Sequence, residues 1–185
     1  LEDNKSLLNK MNDFDLVEKI FFSIPNDNNI DLNAWIMKPE LLDTNKKHPL
    51  LIYVYGGPGI NTVNNAWSWM NYFWFQYLVK QGFVVVSVDN RGTGYRGKEF
   101  KHATYLQLGK LETEDQIDAA IHMGKLNYID KDRIGIFGWS YGGYMSSLCI
   151  SKGADVFNSA IAVAPVTNWR YYDNIYTERF MRTPK

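Results

Sequence analysis

Apolar residues fall in two rhythms along the chain. Early on they alternate with polar neighbours: Ile30, Leu32, Ala34 and Ile36 are interleaved with Asp31, Asn33, Trp35 and Met37. A period of two marks a half-buried strand, which Pro39 stops. Lys19–Ile24 (KIFFSI) reads as a partner strand, ended by Pro25 and the turn-forming run Asn26–Asn29. Together they predict an antiparallel hairpin. Leu1 to Leu16, polar with scattered leucines, reads as a lead-in.

From Leu50 onward the apolar runs become continuous. Leu50–Tyr55 (LLIYVY), Phe83–Val88 (FVVVSV), Arg133–Phe137 (RIGIF) and Ser159–Val166 (SAIAVAPV) have the unbroken character of strands covered on both faces. Helical spacing lies between them. Met70, Phe73, Trp74, Tyr77 and Leu78 predict one apolar face over Ala66–Lys80, with Gly82 as the stop. Thr113 with Gln116 suggests a capping box, followed by a face of Ile117, Ala120, Ile121, Gly124 and Tyr128. A further helix runs from Tyr141 to about Ser151 and closes at Gly153. Strands alternating with helices imply a mostly parallel α/β sheet, led here by the antiparallel hairpin.

Composition narrows the function classes. The 185 residues suit about one domain, and Lys plus Arg (20) balance Asp plus Glu (20). Zero net charge of mixed sign argues against nucleic acid or a polybasic membrane surface as partner. A hydrophobic share of 45% excludes a disordered chain. The longest apolar run, Ala160–Val166, is far below the roughly 18 residues of a membrane span. The lone Cys149 leaves no internal disulfide and no cysteine-based zinc site, and does not settle the compartment. No residue pattern calls for a cofactor or a metal. The absence of an initial Met and of a signal pattern reads as a processed product or a piece of a longer chain.

The chemistry concentrates at Gly138-Trp139-Ser140-Tyr141-Gly142-Gly143, a G-x-S-x-G motif set between a strand and an apolar helix. A sharp strand-to-helix turn there lifts a serine oxygen clear of the sheet, and the flanking glycines leave room for it. The helix aims free N–H groups at a developing oxyanion. Tyr55-Gly56-Gly57-Pro58-Gly59 follows the LLIYVY strand, where hydrolases of this architecture carry the second oxyanion donor. The Tyr55 phenol can donate there, beside the backbone N–H of Tyr141. Gly92–Gly97 spells G-x-G-x-x-G, but Lys98–Lys110 is polar with weak helical periodicity, so the segment reads as a turn rather than a dinucleotide fingerprint.

GWSYGGYM (Gly138–Met145), VYGGPG (Val54–Gly59), VDNRGTGYRG (Val88–Gly97) and APVTNWRYYDNIYTERFM (Ala164–Met181) together resemble the prolyl oligopeptidase family of serine peptidases, in its dipeptidyl peptidase IV branch. The likeness runs from about Lys19 to the end. It implies a lead-in over 1–18 and, over 19–185, the N-terminal part of an α/β-hydrolase catalytic domain without its last strands. It implies Ser140 as acylated nucleophile, with Tyr55 and the Tyr141 amide as the oxyanion hole. Trp169, Tyr172, Tyr176 and Val166 would then line an apolar pocket for the residue before the cut bond. The implied substrate is a peptide with Pro or Ala at the penultimate position. A proline ring is compact and lacks an N–H, so aromatic walls hold it without stranding a donor. Read without the resemblance, the YYDNIY tyrosines are an aromatic core cluster. The resemblance also implies a periplasmic or extracellular setting and an attached β-propeller.

The three histidines, His48, His102 and His122, all precede Ser140, whereas this architecture orders its triad Ser, then Asp or Glu, then His. The expectation is that acid and base lie outside the chain and that these residues alone are inactive. The SAIAVAPV strand is expected to present an open edge and to favour a homodimer or aggregation. The competing readings are an esterase or acyl-peptide hydrolase on the same fold, and a non-catalytic binding or dimerisation module.

Overall fold

A computed structural model describes residues 3–68 and 70–183; Leu1, Trp69 and Lys185 therefore lie outside the described residues. The continuous apolar runs form the middle of the molecule. β3 (His48–Tyr53) and β4 (Val84–Val88) pair in parallel, and β3 also pairs in parallel with β5 (Ile129–Trp139). β6 (Ser159–Val163) extends the parallel part beyond β5. On the other side the predicted hairpin, β1 (Ile20–Pro25) with β2 (Asp31–Met37), joins antiparallel through β2 and β4. The six strands run β1-β2-β4-β3-β5-β6.

Strand alternation divides the core between the two sheet faces. Val84, Val86 and Val88, with Leu50, Ile52, Ile134 and Ile136, pack against Ala119, Ala120 and Met123 of α4 (Leu111–Gly124) and Met145 and Cys149 of α5 (Tyr141–Lys152). Val85, Trp35 and Met37 point the other way, onto Phe75 and Val79 of α2 (Asn71–Lys80). The result is an α/β sheet covered on both faces. Burial in this core pushes the Cys149 thiol up to about 12, so it is an inert packing group.

Several local expectations need correction. The lead-in contains a helix, α1 (Lys5–Met11), with no buried residue. α2 begins at Asn71 rather than Ala66, and its buried side is Phe75, Gln76 and Val79. Met70 (75% exposed), Phe73 and Tyr77 face outward, as does Trp67, so only part of this aromatic stretch is core. Of the predicted face only Trp74 and Leu78 pack against the core, and the fully buried stripe lies one position on. β5 starts at Ile129 because that residue pairs with His48 at the foot of β3. β6 stops at Val163, where Ala164 turns to φ 43°. A short helix, α3 (Gly97–His102), does follow the glycine-rich turn.

The start of α4 also differs. There is no capping box at Thr113 and Gln116, since both lie inside the helix. Instead Gly109 N–H donates to Glu112 Oε2 (3.0 Å) and Thr113 Oγ1 donates back to Gly109 O (2.6 Å). The face that α4 buries begins with polar residues, Glu112, Thr113, Asp115 and Gln116. Ile121 is exposed.

Candidate active site

Parallel strands bring their C-terminal ends to one edge, and loops leaving that edge can converge. Here the loops after β3, β4 and β5 do so. The loop after β5 is only Ser140, which has φ 58° and ψ −115°. A non-glycine residue at positive φ is strained, and such strain persists only where the surroundings fix it. They do so on both sides. Ser140 N–H donates to Val163 O at the end of β6 (2.9 Å), and Tyr144 N–H donates to Ser140 O (3.1 Å). A Cβ on Gly142 would run into the Val54 carbonyl, and one on Gly138 into the Gly142 backbone. Serine at this position normally caps its helix, but Ser140 makes no capping bond. Its hydroxyl is therefore left for other chemistry, at the N-terminus of a helix whose first amides have no acceptor within the helix.

Across from it, Gly56 (φ 76°) turns the loop after β3, and a Cβ there would meet Asn90 Oδ1 at 2.9 Å. Gly57 lies between the Tyr55 and Tyr141 rings, whose centroids are 5.9 Å apart. Burial raises the Tyr55 phenol, and its neighbour Tyr172 adds to this, so Tyr55 stays a protonated donor. The site thus brings Ser140, Tyr141 and Tyr55 together.

The segment after β6 closes over them as an aromatic cluster. A 3₁₀ turn (Trp169–Tyr171) and α6 (Asn174–Met181) carry it, with Asp173 capping α6 through the Tyr176 N–H (2.8 Å). Trp169 stacks on Tyr176 (5.7 Å) and meets Tyr172 edge-on (5.8 Å). Tyr141 reaches the same cluster, 5.5 Å from Trp169. Val166 is buried. Burial also drives the Tyr176 phenol upward, reinforced by the nearby Tyr55. All four expected lining residues thus lie on the one segment that follows β6.

The histidines are elsewhere. His48 stands at the foot of β3, its Nδ1 2.8 Å from Gly82 O and its Nε2 3.1 Å from Asp43 O. His102 ends α3, and His122 sits in the last turn of α4. A broad 780 Å³ depression beside His48 lies at the strands' N-terminal edge, opposite Ser140. Asp89 and Arg91, at the C-terminal end of β4, are structural. Asp89 accepts from Thr62 N–H (2.8 Å) and Asn61 Nδ2 (2.7 Å), and Arg91 is clasped by Asp115. Among the described residues no three His, Cys, Asp or Glu gather to hold a metal.

A model of the prolyl oligopeptidase family matches residues 69–185, well over half of the chain. The chain belongs to the prolyl oligopeptidase family. It is similar to prolyl endopeptidase FAP of Bos taurus, 43% identical across 100% of the chain and 24% of that protein. It is also similar to dipeptidyl peptidase 8 of Homo sapiens, 41% identical across 88% of the chain and 18% of the relative. The crystal structure of Porphyromonas gingivalis dipeptidyl peptidase 4 superimposes with a TM-score of 0.94 at 46% identity, over 100% of the chain and 26% of that structure. The chain therefore spans about a quarter or less of the proteins it matches. These likenesses make the fold an α/β-hydrolase fold, and the relatives named are peptidases, one a prolyl endopeptidase and two dipeptidyl peptidases.

One group of residues escaped the sequence reading. Glu112 is fully buried and accepts a hydrogen bond from the Tyr141 phenol (2.7 Å). Burial pushes its carboxyl up to about 7, against the lowering effect of the Tyr141 and Gly109 hydrogen bonds. Asn90 is equally buried: its Nδ2 donates to Gly56 O (3.0 Å) and its Oδ1 accepts from Gln116 Nε2 (2.9 Å). A signal was present, because Glu112, Asp115, Gln116, Ala119, Ala120 and Met123 form one helical stripe that ends apolar.

Proposed function

We propose that this chain is the nucleophile-bearing part of a longer serine peptidase that releases N-terminal X-Pro or X-Ala dipeptides. The observation that carries the reading is Ser140 itself. It sits in a strained backbone conformation at the head of α5 and makes no capping bond. Its Oγ attacks the scissile carbonyl and passes its proton to a histidine supplied by the rest of the protein. The carbonyl oxygen becomes an oxyanion, held by the Tyr141 N–H and the Tyr55 phenol. The tetrahedral intermediate then collapses, the amine leaves with the proton, and an acyl group remains on Ser140. Water reverses these roles and frees the dipeptide.

The pocket of Trp169, Tyr172, Tyr176 and Val166 selects the residue whose carbonyl is attacked. Its aromatic walls suit a compact ring or a methyl group. In this reading the remaining protein contributes the acid, the base and the groups that recognise the free amine, including a β-propeller. The 185 residues alone bind and orient but do not turn over. The test uses the full-length protein: a fluorophosphonate probe should label Ser140, and Ser140→Ala should abolish both labelling and X-Pro cleavage. Retained cleavage by Ser140→Ala would place the chemistry elsewhere.

A further inference from the structure

α4 meets the sheet with a polar stripe where an apolar one would pack as well. Its members reach the head of α5 and the loop after β4. Glu112 Oε1 accepts the Tyr141 O–H, and its Oε2 accepts the Gly109 N–H, so the carboxylate ties the residue after the nucleophile to the start of the helix. One turn on, Gln116 Nε2 donates to both Val88 O (3.0 Å) and Asn90 Oδ1 (2.9 Å). Asn90 in turn donates to Gly56 O (3.0 Å) and Arg91 O (2.7 Å). Between them Asp115 takes the Arg91 backbone N–H (2.7 Å), the Arg91 guanidinium (2.7 Å) and Asn26 Nδ2 (2.8 Å).

We propose that α4 positions both oxyanion donors: Glu112 holds Tyr141 through its phenol, and Gln116 holds the Tyr55 loop through Asn90 and the Gly56 carbonyl. The inference rests on the serine-peptidase reading above. The physical argument is one of direction. Apolar contacts fix how close two elements come, but hydrogen bonds fix their rotation as well. The Tyr141 amide must point at the oxyanion while its side chain packs on Tyr55, Tyr144 and Trp169. A bond at the far end of a rigid ring removes the remaining freedom along its long axis. Gly56, at φ 76°, has no side chain to anchor its loop, so an anchor on its carbonyl does that work. Glu112 and Asn90 are both fully buried, so neither bond is exchanged for water. Both networks end on one helix, which keeps the two donors in register with each other.

Glu112, Asn90 and Gln116 are thus positioning residues, and their removal should lower turnover without altering the pocket. The test is steady-state cleavage of an X-Pro chromogenic substrate by the full-length protein, with active sites counted by the fluorophosphonate end-point. Displacing one oxyanion donor costs on the order of 10- to 100-fold in rate. Glu112→Ala and Asn90→Ala should each lose that much kcat per titrated site while KM stays within about threefold. Glu112→Gln, which can still accept from the phenol, should recover most of the loss. Should Glu112→Ala fail to fold, Tyr141→Phe removes the same bond and carries the same expectation. A kcat per titrated site within about twofold of the parent in both Tyr141→Phe and Asn90→Ala would overturn the proposal. Ser140→Ala, run alongside, separates the two levels. If it is dead while the α4 variants are normal, only the positioning role fails; if it is active, the serine reading itself fails.

Discussion

Glu112 ties proton binding to stability, and the sign can be worked out. Its carboxyl is raised from 4.5 to about 7 because burial penalises the charged form. The folded state therefore holds this proton more tightly than the unfolded chain does. Stability from this group is fully present below about pH 4.5 and is lost as the pH rises through about 7. At about 1.36 kcal/mol per pKa unit, the whole interval corresponds to roughly 3 kcal/mol. The groups facing Glu112 are the Tyr141 phenol from α5, the Gly109 N–H, and, more distantly, Asp115 on its own helix and Tyr176 and Tyr144. None of the tyrosines ionises in this window, because each is pushed above its ordinary value. The perturbation is Glu112→Gln, which is neutral at every pH. Denaturant unfolding of the parent and the variant from pH 4.5 to 8 should show the parent losing about 3 kcal/mol relative to the variant across the range. Infrared difference spectra between the two should show one protonated carboxyl disappearing near pH 7 in the parent. A stability difference that stays flat within about 0.5 kcal/mol, with no such titration, would refute the reasoning.

Tyr55→Phe removes a candidate oxyanion donor but keeps its ring. In the full-length protein kcat for an X-Pro substrate should fall about 100-fold with KM little changed. Asp115→Ala removes the fully enclosed carboxylate 2.7 Å from the Arg91 guanidinium and leaves it only the half-exposed Glu114, 3.7 Å away. Chemical denaturation should register a loss of about 3–5 kcal/mol. Among the described residues β6 is the last strand of the sheet order and pairs only with β5, and it exposes Ile161 (49%). If that edge drives self-association of these 185 residues, Ile161→Lys should shift light scattering towards monomer; no shift would clear β6 of the role.

How much of this was legible in the sequence varies with the kind of residue. The β3 and β4 runs declared themselves because a strand buried on both faces is almost continuously apolar, with only the small Ser87 inside β4. Ser140 was legible because G-x-S-x-G came with a strand before it and a helix after it. α2 was placed but rotated: Phe73 and Tyr77 are as apolar as Phe75 and Val79, and periodicity cannot say which of two apolar stripes meets a sheet. α4 was the hardest, because Gln116 reads as half of a capping box and Glu112 and Asp115 carry no apolar signal. Their partners, Tyr141, Arg91 and Asn90, are far away in the chain, and only the folded sheet brings them within hydrogen-bond reach. The aromatic segment around Trp169 and Tyr176 became a pocket by resemblance; its bare pattern said core cluster, but Tyr171, Tyr172 and Ile175 are exposed, while Trp169 and Tyr176 pack partly against the core.

The bond from the Ser140 amide to the Val163 carbonyl has a consequence for when reactivity can arise. The turn that strains the serine is held by a strand synthesised after it. Gly143 seats against the same place, where a Cβ would lie 2.7 Å from Val163 O and 3.0 Å from Pro165 Cα. A ribosome that has just released the GWSYGG motif has made the letters of an elbow without its shape. In the proposed reading Ser140 gains this hold on its conformation only once the chain has passed Pro165 and β6 has docked. Conversely, a nick in the turn between α5 and β6 would disarm the serine from a distance while leaving every residue of the motif intact.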